Sequence, residues 1–303
     1  MSPSKLIYTI MVLVGVVLVT FFIRPPGDPV RVALGQHADA KSVEDMRKQL
    51  GLDKPLVEQV GVYMINLIHG DLGRSIITNK PVSETIVERL PATALLAFSS
   101  MGIATILGIV LGVFAAWRAN TWIDTALMST SLLGISLPSF VVGLLFILWF
   151  AVDHEWFPIS GYIDRGPEYL VLPMITLAIR PLSIIARITR ASMLDVLGMD
   201  YVRTARAKGL PYISVFFKHA LRNALNPVVT TVSAWFAGLL AGTYFIEIVF
   251  NWPGIGLATF SAIEKLDYPV IQGMVLVTAV IFVLANMLSD VVYALIDPKV
   301  RVR

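Results

Sequence analysis

Four histidines, His37, His69, His154 and His219, are the first side chains to test for chemistry. They lie far apart, so none forms the pair four residues apart that would hold zinc on one helix face beside a glutamate base. His154-Glu155 opens such a pattern, but no second histidine follows at the required distance. The chain has no cysteine, which removes disulfides, thiolate metal sites and thiol nucleophiles together. It contains neither a Gly-x-Ser-x-Gly elbow nor a G-x-x-x-x-G-K-[ST] phosphate loop. No catalytic or metal-binding constellation emerges, so the chain is read as something other than an enzyme.

Two ionisable residues stand inside apolar runs. Arg180 lies deep in one, beside Pro181, and Asp290 lies late in another. Such residues face protein or water rather than lipid; for Arg180 the competing reading is a structural pair with a neighbouring helix. A proton-coupled carrier would want carboxylates near mid-membrane in the third and fifth runs, and an ion-coupled carrier would often show an inverted repeat. Neither is visible.

The elements that hold these residues are membrane spans. Hydrophobic residues make up 56% of the 303, and charged residues only 15%, against about 25% in a soluble domain. Mean hydropathy is +0.75. Six segments have the roughly 20 apolar residues that a span needs: about 6–23, 93–117, 125–152, 169–189, 226–250 and 270–296. The first is read as an uncleaved helix, because no small-residue cleavage site follows it. Glycines such as Gly102, Gly108, Gly112, Gly134, Gly143, Gly238 and Gly242 suit close helix packing in lipid.

Short-loop lysines and arginines set the orientation. The stretch from Arg187 to Arg222 carries Arg187, Arg190, Arg203, Arg206, Lys208, Lys218 and Arg222 against only Asp195 and Asp200. Lys5, Arg118, Lys299, Arg301 and Arg303 fall on the same side, and the opposite short loops are acidic on balance. Both termini are therefore expected in the cytoplasm. The basic run is read as topology, not as a nucleic-acid surface.

One long hydrophilic segment, 25–91, lies outside. A helix is expected around Ser42–Leu50, capped by Ser42 with Asp45 three positions on, and a second amphipathic stretch over about Pro55–Ile68.

Between the fourth and fifth spans the text reads Asp200-Tyr201-Val202-Arg203-Thr204-Ala205-Arg206-Ala207-Lys208-Gly209-Leu210-Pro211, and continues through Phe216-Phe217-Lys218-His219-Ala220-Leu221-Arg222-Asn223. Two short helices are expected, broken at Gly209-Leu210-Pro211, where glycine accepts a left-handed turn and proline suits a helix start. The second helix carries Ile213, Phe216, Phe217, Ala220 and Leu221 on one side. A semi-apolar loop of this kind is built to dock on a partner; an interfacial helix on the bilayer is the alternative.

These residues carry a resemblance. The loop resembles the coupling-loop motif of ABC-importer permeases, in the form used by the dipeptide/oligopeptide/nickel family. Ala205 and Gly209 match the general motif, while Arg203 and Thr204 replace its first two positions. Further co-linear segments resemble the same family: Pro26-Gly27-Asp28-Pro29, Gly51-Leu52-Asp53-Lys54-Pro55-Leu56, Gly70-Asp71-Leu72-Gly73-Arg74-Ser75, Glu88-Arg89-Leu90-Pro91-Ala92-Thr93, Gly134-Ile135-Ser136-Leu137-Pro138-Ser139-Phe140, Phe250-Asn251-Trp252-Pro253-Gly254-Ile255-Gly256 and Asp267-Tyr268-Pro269-Val270. Together they span nearly the whole chain and are most similar to the first of the family's two permeases.

The resemblance implies an all-α membrane protein with six transmembrane helices and the type I ABC-importer permease fold. Residues 1–24 would be the first helix, 25–91 an extracytoplasmic segment, 92–297 the five-helix core with its coupling loop at about 191–222, and 298–303 a cytoplasmic tail. It implies a bacterial inner-membrane complex with a second permease, two cytoplasmic ATPases and an extracytoplasmic binding protein. ATP and magnesium would sit on the ATPases, with no cofactor in this chain. Arg203, Thr204, Ala205, Lys208, Gly209, Leu210, Ile213, Phe216, Phe217 and Lys218 would couple to the ATPase, with Leu210, Ile213, Phe216 and Phe217 buried in its groove. Asp28, Trp156, Asn251 and Trp252 would meet the binding protein; the tryptophans also suit interfacial anchoring. Cargo is expected to be di- or oligopeptides, with nickel chelates, glutathione and oligosaccharides as alternatives and an ion-coupled carrier as a distant one.

Overall fold

The computed structural model describes residues 3–22, 24–35 and 38–296. His37, Lys299, Arg301 and Arg303 lie outside the described residues, as do the side chains of Lys5 and Asp290. The described chain is helical, with one isolated bridge between Arg74 and Pro81. In order the helices are α1 (Pro3–Phe22), α2 (Pro29–Leu34), α3 (Ala40–Gln49), α4 (Leu56–Ile68), α5 (Val82–Trp117), α6 (Trp122–Ser136) and α7 (Ser139–Phe146). There follow α8 (Glu168–Leu197), α9 (Asp200–Ala207), α10 (Tyr212–Ser214), α11 (Arg222–Gly242), α12 (Tyr244–Val249), α13 (Ile255–Glu264) and α14 (Tyr268–Ile296). Two π-helical stretches, Ile147–Asp153 and Val215–Leu221, continue α7 and α10. The chain divides into two compact units, Met1–Thr93 with Pro253–Val283, and Ala94–Trp252 with Leu284–Arg303.

In the first unit the hydrophilic segment folds through its caps. Asp28 takes an extended conformation and accepts the Val30 N–H at 3.1 Å, with Pro29 opening α2. The expected cap at Ser42 is corrected: α3 starts earlier, because the Asp39 carboxylate reaches the Ser42 N–H at 3.2 Å. Hydrogen bonding from Ser42 holds that carboxyl below its ordinary range. The guanidinium of Arg47 meets Asp28 at 2.6 Å, joining α3 to the α2 cap.

Val82, Ile86, Ile255, Ala262, Val270 and Met274 form one core of this unit, and Val17, Phe21 and Leu276 another. Arg24 lies between the rings of Phe21 and Tyr268, 4.8 and 4.9 Å from their centroids. The buried Asp267 accepts the Ser75 hydroxyl at 2.5 Å and the Ile76 N–H at 3.0 Å. It thus pins the 71–81 loop to the start of α14. Asp267→Ala is expected to strand those donors at a cost of about 1–3 kcal/mol and to speed amide exchange at Ile76. Unchanged protection there would remove Asp267 as the tie.

In the second unit α8 packs along α6, α7 and α11. Glycine permits a close approach of α5 to α8: a Cβ on Gly112 would stand 2.5 Å from both the Ala186 carbonyl oxygen and the Thr189 Cβ. Gly112→Ala is therefore expected to force α5 off α8 and destabilise by about 1–3 kcal/mol. Gly102→Ala, where a Cβ meets nothing within 4 Å, is the control. Equal thermal midpoints in detergent would refute the close-packing role.

Three helices among the described residues are long and apolar enough to cross a membrane, Val82–Trp117, Glu168–Leu197 and Tyr268–Ser289, and a bent pair raises the number to four. The expected continuous third span is corrected. It is α6 and α7 with its π-helical extension, bent by 104°. Pro138 explains the break: its ring drives Leu137 out of the helical region, to φ −83° and ψ 135°. The expected fifth span also divides, with α11 ending before Thr243 and α12 beginning at Tyr244. Pro91, Pro173, Pro181 and Pro227 stay inside helices, as neighbouring helices permit in membranes.

Candidate functional site

The loop between α8 and α11 is ordered by its own sequence. At the end of α9 the Gly209 N–H bonds the Arg206 carbonyl at 2.9 Å, and the Leu210 N–H bonds the Ala205 carbonyl at 3.4 Å. This pair is a Schellman motif, and Gly209 fills its left-handed position at φ +78°. Pro211 then turns the chain into α10. The break expected at Gly209-Leu210-Pro211 is therefore where the chain bends.

An apolar base fixes this bend. Val202 and Ala205 of α9, with Val215, Phe216, Ala220 and Ala224, pack on Val113, Ala116, Met193 and Val196. Tyr201 adds a polar tie, since its hydroxyl accepts from the Asn223 side chain at 2.7 Å. What remains outside is a row of mixed character. Leu210, Tyr212, Ile213 and Phe217 are exposed, as are Arg203, Thr204, Lys208, Gly209 and Lys218. Arg203 makes only a surface pair with Asp200, at 3.6 Å; such pairs contribute little.

Phe216 requires a correction. It was expected to face a partner beside Ile213 and Phe217, yet it is 1% exposed and packs near Trp117 and Tyr212. The inward positions recur every four residues, through Phe216, Ala220, Ala224 and Val228, across the π-helical stretch Val215–Leu221 and on into α11. Phe216 thus closes the apolar base with Val113, Ala116 and Met193, while Phe217 stays outside. Ala205, with its side chain against the base, also supports rather than presents the surface.

The candidates for an outside contact scatter. Trp156 is exposed, and so is Asn251, at φ 48°. Trp252 is corrected: it is 0% exposed and sits edge-on to Tyr162, with ring centroids 4.8 Å apart. Asp28 is engaged at the α2 cap and with Arg47.

Two buried carboxylates were missed. Asp124, in the first turn of α6, receives Arg190 Nε at 2.5 Å and a terminal guanidinium nitrogen at 2.6 Å, together with the Asn120 N–H at 3.0 Å. Its side chain is 4% exposed and that of Arg190 25%. This fork joins α6 to α8 one turn before the loop base. Thr121 and Asp124 have capping-box spacing, which flags the acid but not its partner, 66 residues away. Glu247 is fully buried in α12 and accepts the Thr243 hydroxyl at 2.7 Å. Among the described residues no group of three or more His, Cys, Asp or Glu converges as a metal site.

Residues 108–302 match the family model described as "Binding-protein-dependent transport system inner membrane component". Residues 4–97 match "Binding-prot-dependent transport system membrane comp, N-term". The glutathione transport system permease protein GsiC of Escherichia coli (strain K12) is 43% identical over 289 residues, 95% of this chain and 94% of that protein. The dipeptide transport system permease protein DppB of Alkalihalophilus pseudofirmus is 41% identical, over 99% of this chain and 98% of its own. A putative peptide transport system permease protein of Brucella abortus is 41% identical, with 98% of each chain covered. Among solved structures, an inward-facing MetNI methionine ABC transporter chain shares the fold, with TM-score 0.55 and 19% identity, covering 71% of this chain and 97% of that one.

Proposed function

This chain belongs to the binding-protein-dependent transport system inner membrane components, and on that premise we propose that its cargo is a di- or oligopeptide handed over by a binding protein. It is a multi-pass inner-membrane permease subunit of an ABC importer with the type I permease fold. It is not an enzyme; separate ATPase subunits hydrolyse ATP.

The observation that carries the peptide reading is 41% identity, over nearly the whole chain, to permeases named for dipeptide and peptide transport. Glutathione is the second reading, favoured by the GsiC relatives; it is itself a short peptide. The assembly is a heterodimer of this chain with a second permease, on two cytoplasmic ATPases that hold ATP and magnesium. The loop charges support six spans, with both termini in the cytoplasm and residues 25–91 outside. Trp156 and Asn251 belong to the face that meets the binding protein.

The exposed row around Gly209 docks on an ATPase. Leu210, Ile213 and Phe217 enter a groove, while Arg203, Thr204, Lys208 and Lys218 surround it. The Phe216 base holds the row to the membrane helices, so that ATPase closure is passed upward. A loop transmits such a change only if it binds differently in the two states.

The test is ATP hydrolysis by the purified complex in liposomes with its binding protein. Dipeptides, tripeptides, glutathione and a nickel chelate would be compared. Stimulation by the peptides supports the reading. Stimulation only by the nickel chelate overturns the cargo, and no association with any ATPase overturns the coupling surface.

A further inference from the structure

Arg180 is an exposed cation in the middle of α8. It lies twelve residues after Glu168 and seventeen before Leu197. At about 1.5 Å per residue the helix is roughly 45 Å long and Arg180 sits about 18 Å from its start. A hydrocarbon core is about 30 Å thick. Any such window along an upright α8 includes Arg180.

Its surroundings leave the charge open. Among the described residues no carboxylate pairs with Arg180; its guanidinium carbon stands 5.9 Å from the Trp235 ring centroid. Buried Thr176, Ser183, Ile185, Ala186 and Thr189 line the packed faces of α8, with Gly112 of α5 against Ala186 and Thr189 and Gly134 of α6 against Ser183. Arg180 lies on an exposed face beside Trp235 of α11. Arg187, also exposed, follows about two turns later on that face, about 10 Å along the axis. An apolar span that exposes Arg180 cannot turn that face to lipid, and Arg187, the first of the basic run 187–222, lies where the row leaves the span. The row faces either a water-filled path or another protein.

We propose that Arg180 is a carboxylate-binding station on the translocation path, with Trp235 backing the guanidinium and Arg187 the next cation along the row. A guanidinium presents a planar fork that matches a carboxylate in bidentate geometry. The ring holds the fork in place without neutralising it. Cargo with a free carboxylate, which dipeptides, oligopeptides and glutathione all carry, satisfies the site; a cationic chelate does not. This inference rests on the peptide reading of the function and narrows it to cargo that bears an anion.

The test compares wild type with Arg180→Gln and Arg180→Lys in the reconstituted complex, using one peptide as its free acid and as its C-terminal amide. Dividing each variant's rate by the wild-type rate for the same peptide cancels the selectivity of the binding protein. Arg180→Gln is expected to lower the free-acid rate roughly ten- to a hundredfold and to leave the amide rate near wild type, with Arg180→Lys between. Equal losses for both peptides would overturn the station. So would a variant that fails to assemble as Gln and recovers fully as Lys, which marks a structural pair with the second permease. A cysteine-free chain also allows Ile184→Cys, one turn further along the row, to be labelled alone. Labelling by a charged aqueous thiol reagent, slowed by free-acid peptide, supports the path; inaccessibility with and without ATP overturns it. Wild type that ignores every peptide would refute the functional reading instead, a result distinct from all of these.

Discussion

Gly209→Val is expected to abolish most peptide-stimulated ATP hydrolysis while leaving the protein in the membrane. The φ of +78° costs an L-residue about 1–2 kcal/mol, more when it is β-branched. The Schellman turn and the Leu210–Pro211 bend are therefore populated about tenfold less. A Cβ at Gly209 would meet nothing within 4 Å, so the effect comes from the backbone and not from crowding. Gly209→Asn, which tolerates left-handed geometry, should retain most coupling. Gly209→Asp would keep the turn nearly as well and act instead through its added charge, which makes valine the cleaner probe. Measuring basal and peptide-stimulated hydrolysis for the three variants checks this. Full stimulation in Gly209→Val would remove the loop from the coupling path.

The larger loss of stability is expected at Asp124. Replacing it with alanine leaves Arg190 partly buried without its fork, and breaking a buried pair from one side costs about 3–5 kcal/mol. Because the pair is partly open on the arginine side, the lower end applies. The double change Asp124→Leu with Arg190→Met removes both charges and should recover much of the loss. Thermal midpoints of wild type, Asp124→Leu, Arg190→Met and the double variant in one detergent close the cycle. A double variant no better than Asp124→Ala would show that the two residues act separately.

Much of this was legible because it is local. The Gly209-Leu210-Pro211 break needs only the conformational freedom of glycine and the ring of proline, and both act within a few residues. The apolar stretches give the helices in the same way. What escaped depends on partners. Asp124 finds Arg190 only once α6 lies on α8. Phe216 turns inward onto Val113, Ala116 and Met193, which come together with it only once the helices pack. Trp252 reads as an interfacial tryptophan until Tyr162 closes over it. The bend at Leu137-Pro138 was visible in principle, since a residue before proline avoids helical geometry; the apolar run around it concealed the signal.

That bend also says something about the chain alone. At a helix end, carbonyls lose their intrahelical partners, and at the end of α6, among the described residues, the Leu133 oxygen is the one that is recovered, by the Leu137 N–H at 3.2 Å. Leu137 and Pro138 are exposed. Lipid offers such a backbone nothing to bond with. The solitary subunit is therefore an unfinished solute for a bilayer, and its solvation is completed by a companion chain or by water, before any cargo or nucleotide is involved.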